Sequence, residues 1–288
     1  SPRLGAEVLS FTAPQEVQAG QPFTAALTFA NRGRDTWSGT GGYAVVSQAP
    51  VGNSTWGPVV VPLGIDEAVA PGASYTFALN LTGPAKAGIY RCRWRMSEVG
   101  GRGGFGVAAQ ATVKVHTFSD VTSSYWAWAQ VEACVGAGIV NGYPDGTYHP
   151  TDPVTRDQMA VYISRALAGG DANVPTGPAT ARFSDVATSH WAFKYIEYAV
   201  SQRIVTGYSD GTYHPEYPVD RGQMAVFIAR AIAPLSERPD LASYTPTQVS
   251  FPDVPATFWS YKFVEYIKQN QVTSGYPDGY YHPEYPVT

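Results

Sequence analysis

The sequence is poor in charge, in sulfur and in long apolar runs. Only 15% of its 288 residues are charged, and it holds two cysteines and three methionines. The formal net charge is −4, which leaves no basic surface of the kind nucleic acid demands. No stretch approaches the roughly 18 apolar residues that a membrane span needs. Nothing cradles a phosphate, spaces two carboxylates for acid–base work, or sets a histidine beside a serine or cysteine, so an enzyme is not expected and no cofactor is implied. The chain opens at Ser1 without methionine or signal sequence, which reads as a processed or an artificially chosen start.

Small and aromatic residues are plentiful instead. Hydrophobic residues make up 44% and aromatics 13%, with 19 tyrosines, 29 glycines and 23 prolines. That is enough apolar material for real cores, in a composition common outside the cell. The charge is unevenly spread: +3 up to His116 and −7 beyond it. Such a split permits attraction between the head of one copy and the tail of another, within the roughly 10 Å that salt allows, although ordinary solvated faces would look the same.

Residues 1–116 read as β throughout. Phe23, Ala25, Leu27 and Phe29 alternate with Thr24, Ala26 and Thr28, and short runs of similar kind fall at Tyr43–Ser47, Val59–Leu63, Tyr75–Leu81, Ile89–Met96 and Ala108–Val115. Turn residues separate them at Asn31-Arg32-Gly33, Pro71-Gly72 and Gly83-Pro84. Seven or eight strands at this spacing predict a β-sandwich. On one strand Tyr90, Cys92, Trp94 and Met96 share a face, and Arg91, Arg93 and Arg95 take the other. Cys92 and Cys134 both read as buried small hydrophobes rather than as a disulfide pair. The run from Thr28 to Trp37, with Asn31, Gly33 and Trp37 at fixed offsets, resembles the Ig-like domain of the four-tryptophan type. Ser54-Thr55-Trp56-Gly57 and Gly88 to Met96 match later parts of that pattern. Three of its tryptophans are here, Trp37, Trp56 and Trp94. The resemblance implies a binding or spacer module without chemistry.

From Phe118 the chain repeats itself. Phe118-Ser119-Asp120-Val121 returns as Phe183-Ser184-Asp185-Val186 and Phe251-Pro252-Asp253-Val254, at spacings of 65 and then 68 residues. Trp126, Trp191 and Trp259 follow eight residues after each Phe, and the loops Gly142-Tyr143-Pro144-Asp145-Gly146, Gly207-Tyr208-Ser209-Asp210-Gly211 and Gly275-Tyr276-Pro277-Asp278-Gly279 come next. Apolar spacing predicts a helix near each Trp, over Val131, Cys134 and Val135 and again over Ile196, Ala199 and Val200. A second helix is predicted behind Thr155 and Asp220, with Gln158 and Gln223 completing a capping box. Met159, Ile163 and Ala166, and Met224, Ile228 and Ala231, are the expected buried stripes.

In order and in detail these motifs resemble the S-layer homology (SLH) domain. The chain is expected to be multidomain: an all-β Ig-like sandwich at 1–116, then an all-α bundle of helix–loop–helix SLH repeats at 117–170, 182–234 and 250–288. The family resemblance implies binding of acidic cell-wall polysaccharide. Carried over by position, it implies Arg156 and Arg221 as cations for an acidic sugar. It also implies the opening Asp120, Asp185 and Asp253, the aromatic faces Trp126, Trp191 and Trp259, and Gly142, Gly207 and Gly275 where the loop approaches the ligand. Each has a structural alternative: the Asp as a loop brace, the Trp as core, the Gly as a positive-φ residue. An arginine at a helix N-terminus opposes the helix dipole, so stability alone explains it less well. Asp220, where the family has Thr, sets a carboxylate beside Arg221. The recurring His149, His214 and His282 read as repeat identity rather than a metal site, and no metal is expected.

The sequence stops at Pro286-Val287-Thr288, at the cap of the next expected helix. Either further residues follow, or an apolar slot is left that a neighbouring copy would fill. The linkers Gly169–Arg182 and Pro234–Ser250 are long enough to let repeats separate. The expected function is therefore that of a secreted, non-enzymatic structural protein of the cell surface, self-assembling into an extracellular layer or filament with other copies as its partners. The alternative is a monomeric anchor that binds an acidic wall glycan.

Overall fold

The computed structural model describes residues 2–238 and 240–288. The chain divides into two compact units. One runs to Glu132 and takes in Gly142–Tyr148; the other holds Ala133–Asn141 and everything from His149.

The first unit is built on β1 (Ala6–Thr12), β2 (Glu16–Gln18), β3 (Pro22–Asn31), β4 (Trp37–Ser38), β5 (Tyr43–Ser47) and β6 (Val60–Pro62). β7 (Ala68–Val69), β8 (Ser74–Thr82), β9 (Gly88–Glu98), β10 (Gly103–Gly104) and β11 (Ala109–His116) follow. The order β1-β3-β8 makes one sheet. The order β2-β11-β9-β5-β6, with β10 on β9, makes the other, and β4 pairs with β7. The eleven strands exceed the predicted seven or eight because β4, β7 and β10 are two-residue pairings that sequence alternation cannot register. Leu27, Phe29, Trp37, Phe77, Leu79, Trp94 and Met96 fill the space between the sheets and are essentially inaccessible. Trp56 joins them, edge-on to Phe23 and Tyr90.

Asn31 explains its own place in the motif. It is fully buried, and its side-chain amide donates to Asp35 O at 2.8 Å and Val69 O at 2.9 Å while its oxygen accepts from Gly33 N at 3.0 Å. One side chain thus closes the turn and pins β7 to it. A Cβ on Gly33 would come within 2.5 Å of Arg3 O, so that position admits only glycine. Cys92 accepts from Trp94 Nε1 at 3.3 Å, burial raises its thiol pKa to about 11, and both cysteines are free thiols. The opening of the first repeat is fastened to the sandwich: Gln18 Nε2 donates to Thr117 O and Gly146 O, Lys114 to Ser123 Oγ, and Glu16 accepts from Ser123 N.

The second unit is helical between its loops. The helices are α1 (Trp128–Gly136, shared between the units), α2 (Arg156–Ala168), α3 (Phe193–Ser201), α4 (Arg221–Ile232) and α5 (Tyr261–Gln269). The three Pro-Val pairs meet in a closed cycle: Val154 N donates to Val287 O at 2.8 Å, Val287 N to Val219 O at 2.9 Å, and Val219 N to Val154 O at 2.8 Å. Around that ring, the orphan amides that open each second helix find acceptors in the following repeat. Arg156 N and Asp157 N donate to Tyr217 O and Pro215 O, and Arg221 N and Gly222 N to Tyr285 O and Pro283 O. Asp220 caps α4, accepting from Gln223 N at 2.7 Å, and Gln158 Oε1 accepts from Thr155 N at 3.0 Å.

Two expectations fail here. The buried face of α4 is Ala225, Val226, Phe227 and Ala229, while Met224, Ile228 and Ala231 are half-buried and Ala166 of α2 is exposed. A helix packed on more than one side buries more than a single stripe: α2 meets both α3 and α4, and α4 meets α5. The linkers are also tied down rather than loose. Asp171 accepts from Arg165 Nε at 2.8 Å, from Lys194 Nζ at 3.2 Å and from the Tyr195 hydroxyl. Arg238, buried, donates to Ala231 O, Ala233 O and Gln202 O.

Hydrogen bonding by Tyr195, foremost, with Arg165 and Lys194, lowers the Asp171 pKa from 3.8 to about 2. A depressed carboxylate stabilises the fold above its unfolded pKa and loses that contribution as pH falls through its folded one. We expect the unfolding midpoint to drop between about pH 4 and about pH 2. D171N should start lower and show a shallower decline over that window when followed by thermal melts.

Candidate functional site

Each second-helix arginine is held by the repeat that follows it. Arg156 is 7% exposed; its Nε donates to Tyr213 O at 2.8 Å, and the Tyr213 hydroxyl donates back to Arg156 O at 2.9 Å. Its guanidinium lies over the rings of Tyr213 and Tyr208, 4.6 and 5.0 Å from their centroids. Arg221 repeats the arrangement with Tyr281 and Tyr276: Nε to Tyr281 O at 2.9 Å, Tyr281 hydroxyl to Arg221 O at 2.9 Å, and ring distances of 4.5 and 4.8 Å. Burial raises the Tyr281 pKa to about 12, and burial likewise raises that of Tyr213. Both phenols therefore remain donors throughout the physiological range.

The opening aspartates face the same loops. Asp185 accepts from Tyr213 N at 2.8 Å and His214 N at 2.7 Å, and Asp253 from Tyr281 N at 3.0 Å and His282 N at 2.7 Å. Asp120 accepts from Tyr148 N at 2.8 Å. These loops carry His149, His214 and His282 at left-handed φ of 53° to 56°. His214 and His282 stack flat on Tyr217 and Tyr285 at 4.3 Å. Gly142, Gly207 and Gly275 have φ of 66°, 72° and 78°, and a Cβ on them would approach Phe118, Phe183 and Phe251 to 2.1, 2.2 and 2.3 Å. Each glycine is thus required twice over, by its backbone angle and by the phenylalanine that opens its repeat.

The tryptophans are not core. Trp126, Trp191 and Trp259 are 84%, 59% and 59% exposed. Trp259 stands at the mouth of a groove of about 220 Å³ that gathers three repeats: Arg156 from the first, Gly207, Tyr208, Phe227 and Arg230 from the second, and Trp259 from the third. No carboxylate is among its described lining. Burial lowers the Arg230 pKa, and its Nη1 donates to Ile204 O at 2.7 Å. The groove therefore offers two guanidiniums and several ring faces in a partly dry setting. Of the residues singled out from sequence, it joins Arg156, Gly207 and Trp259. Asp185 supports it from behind through Tyr213, and Arg221, Gly275 and Asp253 form a parallel set one repeat on.

Two kinds of bracing residue, a tyrosine and a glutamate of each repeat, are not singled out from the sequence. Tyr213 and Tyr281 stand in the sequence simply as part of the recurring Tyr-His-Pro. Glu132, Glu197 and Glu265 each accept from the backbone N–H preceding the opening Phe, at Thr117, Arg182 and Ser250. All three glutamates fall fourteen residues after that Phe, a register that aligning the repeats reveals.

Comparison with known proteins agrees with these repeats. The S-layer homology domain matches residues 117–160, 182–225 and 250–288, and the Ig-like domain from next to BRCA1 gene matches 10–115. Cell surface glycoprotein 1 of Acetivibrio thermocellus is 31% identical over 147 residues, half of this chain and 6% of its own length. The cellulosome-anchoring protein of the same organism is 28% identical over 148 residues, 51% of this chain and 32% of its own. S-layer protein EA1 of Bacillus anthracis is 30% identical over 127 residues, 44% of this chain and 14% of its own. The chain thus spans a third or less of each of these relatives. No helix among the described residues is long and apolar enough to cross a membrane.

A matched pair of glycines separates fit from backbone angle. Gly211 has φ 84° and nothing within 4 Å of where a Cβ would stand, whereas Gly207 has both obstacles. We expect G211A to cost about 1 kcal/mol and G207A about 3 kcal/mol or more, measured by denaturant unfolding. The chain thus carries three S-layer homology domains and an Ig-like domain, and is an extracellular, cell-surface protein.

Proposed function

We propose that the chain is a non-enzymatic surface anchor that binds an acidic wall glycan in the groove lined by Arg156, Tyr208, Arg230 and Trp259. The observation that carries this reading is the lining itself: two guanidiniums and exposed ring faces, converging from three repeats with no carboxylate among the described lining. Guanidinium forks suit a sugar carboxylate, and a flat indole suits the C–H face of a sugar ring. The Val154–Val219–Val287 ring supports reading the repeats as a single all-α bundle about a pseudo-threefold axis, with domains at 1–116, 117–170, 182–234 and 250–288. Relatives that are S-layer and cellulosome-anchoring proteins are consistent with it. In a pull-down on purified wall polysaccharide, W259A should weaken retention about tenfold with its melting temperature unchanged, and R156K should weaken it too. Undiminished retention by both would remove the groove from the binding surface.

A second reading, self-assembly into a layer or filament, is favoured by β8. This nine-residue strand is an edge of its sheet and contains no charge and no proline, the usual guards against pairing with another copy. Electron microscopy of protein isolated from native surfaces should then show ordered filaments or sheets, and A78P should abolish them. Dispersed particles at high concentration would leave the anchor alone.

A further inference from the structure

The arginine row of the sandwich belongs neither to the groove nor to the core. Arg91, Arg93 and Arg95 alternate along β9 with Cys92, Trp94 and Met96, which are fully buried. Alternate residues of a strand point the same way at about 6.6 Å intervals, so the three arginines leave β9 on the outer face of the larger sheet, Arg91 exposed and Arg93 and Arg95 half-buried. Beside them in register stand Thr112 and Gln110 of β11 and Val46 of β5, all uncharged. Among the described residues none of the three forms an ion pair. Arg95 Nε donates to Gly106 O at 2.9 Å, and Arg93 Nε is buried without an acceptor.

A row of like charges on one sheet face repels itself and adds nothing to sandwich stability. By contrast, the outer faces of β3 and β8 carry small neutral groups at Thr24, Ala26 and Thr28 and at Thr76, Ala78 and Asn80. Three of the nine basic residues in 1–116 therefore share one face of one strand.

We propose that this row is a second binding site, and that its occupant is an extended, hydroxyl-rich acidic polysaccharide lying along β9. Three cations at alternate positions of one strand suit a linear polyanion better than the irregular acidic surface of a folded partner. Each guanidinium presents a planar fork to a carboxylate. Gln110 and Thr112 supply hydrogen-bonding groups for sugar hydroxyls on the same face. The site needs neither Arg156 nor Trp259, so it stands apart from the groove.

The test is retention of the full chain on immobilised polygalacturonate, with dextran as the neutral control and polyphosphate as the charge-only control, at about 150 mM NaCl. We expect binding to polygalacturonate but not to dextran. The combined substitution R91Q/R93Q/R95Q should lose at least about tenfold, and R91K/R93K/R95K should lose less. The same loss is expected when the substitutions are compared in a W259A background, where the groove no longer contributes. R91Q alone, at the most exposed of the three positions, should weaken binding measurably even if the triple variant folds poorly. Two results would overturn the proposal: equal binding with and without R91Q/R93Q/R95Q in the W259A background, or polyphosphate held as tightly as polygalacturonate. Sedimentation adds a third, since self-association removed by R91Q/R93Q/R95Q would make the row a contact between copies.

Discussion

Three backbone hydrogen bonds, each from the Val of one Pro-Val pair to the Val of another, set the geometry on which the repeats depend. Proline has no N–H to give, so in each pair only the valine can donate. Once the three valines are linked, each second helix must start beside the loop of the next repeat. The amides of its first turn then meet the carbonyls of residues 215, 217, 283 and 285. The arginine that opens the helix is delivered to the same loop. Groove and interface are in this sense one construction.

Much of this is legible in residue order alone. The strands follow alternation, the turn at Asn31 follows its motif, and the repeat boundaries follow the recurring Phe-x-Asp-Val. Pairings between repeats are harder to see, because local spacing says nothing about which distant loop a side chain will meet. Tyr213 and Arg156 are 57 residues apart, and no periodicity connects them. The buried face of α4 departs from its expected stripe for a related reason. Helical periodicity describes one buried face, whereas α4 is covered on more than one side. The linkers look loose by composition, yet Asp171 and Arg238 each tie one down with several hydrogen bonds.

The motif residues of the repeats also divide by task. Asp185 and Asp253 are occupied by backbone amides, and the glycines make room for a phenylalanine. Only the arginine guanidiniums, the half-exposed Tyr208 and Tyr276 beside them and the exposed tryptophans border a surface, whereas Tyr213 and Tyr281 are buried. Arg156 does both kinds of work at once, because Nε is tied to Tyr213 O while the guanidinium edge borders the groove. A residue type associated with binding is thus also a staple, which explains why sequence reasoning cannot separate the two roles.

The valine ring has a mechanical meaning as well. Every valine in it uses both its N–H and its C=O, so removing any one repeat opens two of the three bonds together. A pull on one repeat is consequently resisted by its links to both of the others. For a protein exposed at a cell boundary, where drag acts on whatever protrudes, such a closed loop distributes tension without any covalent cross-link.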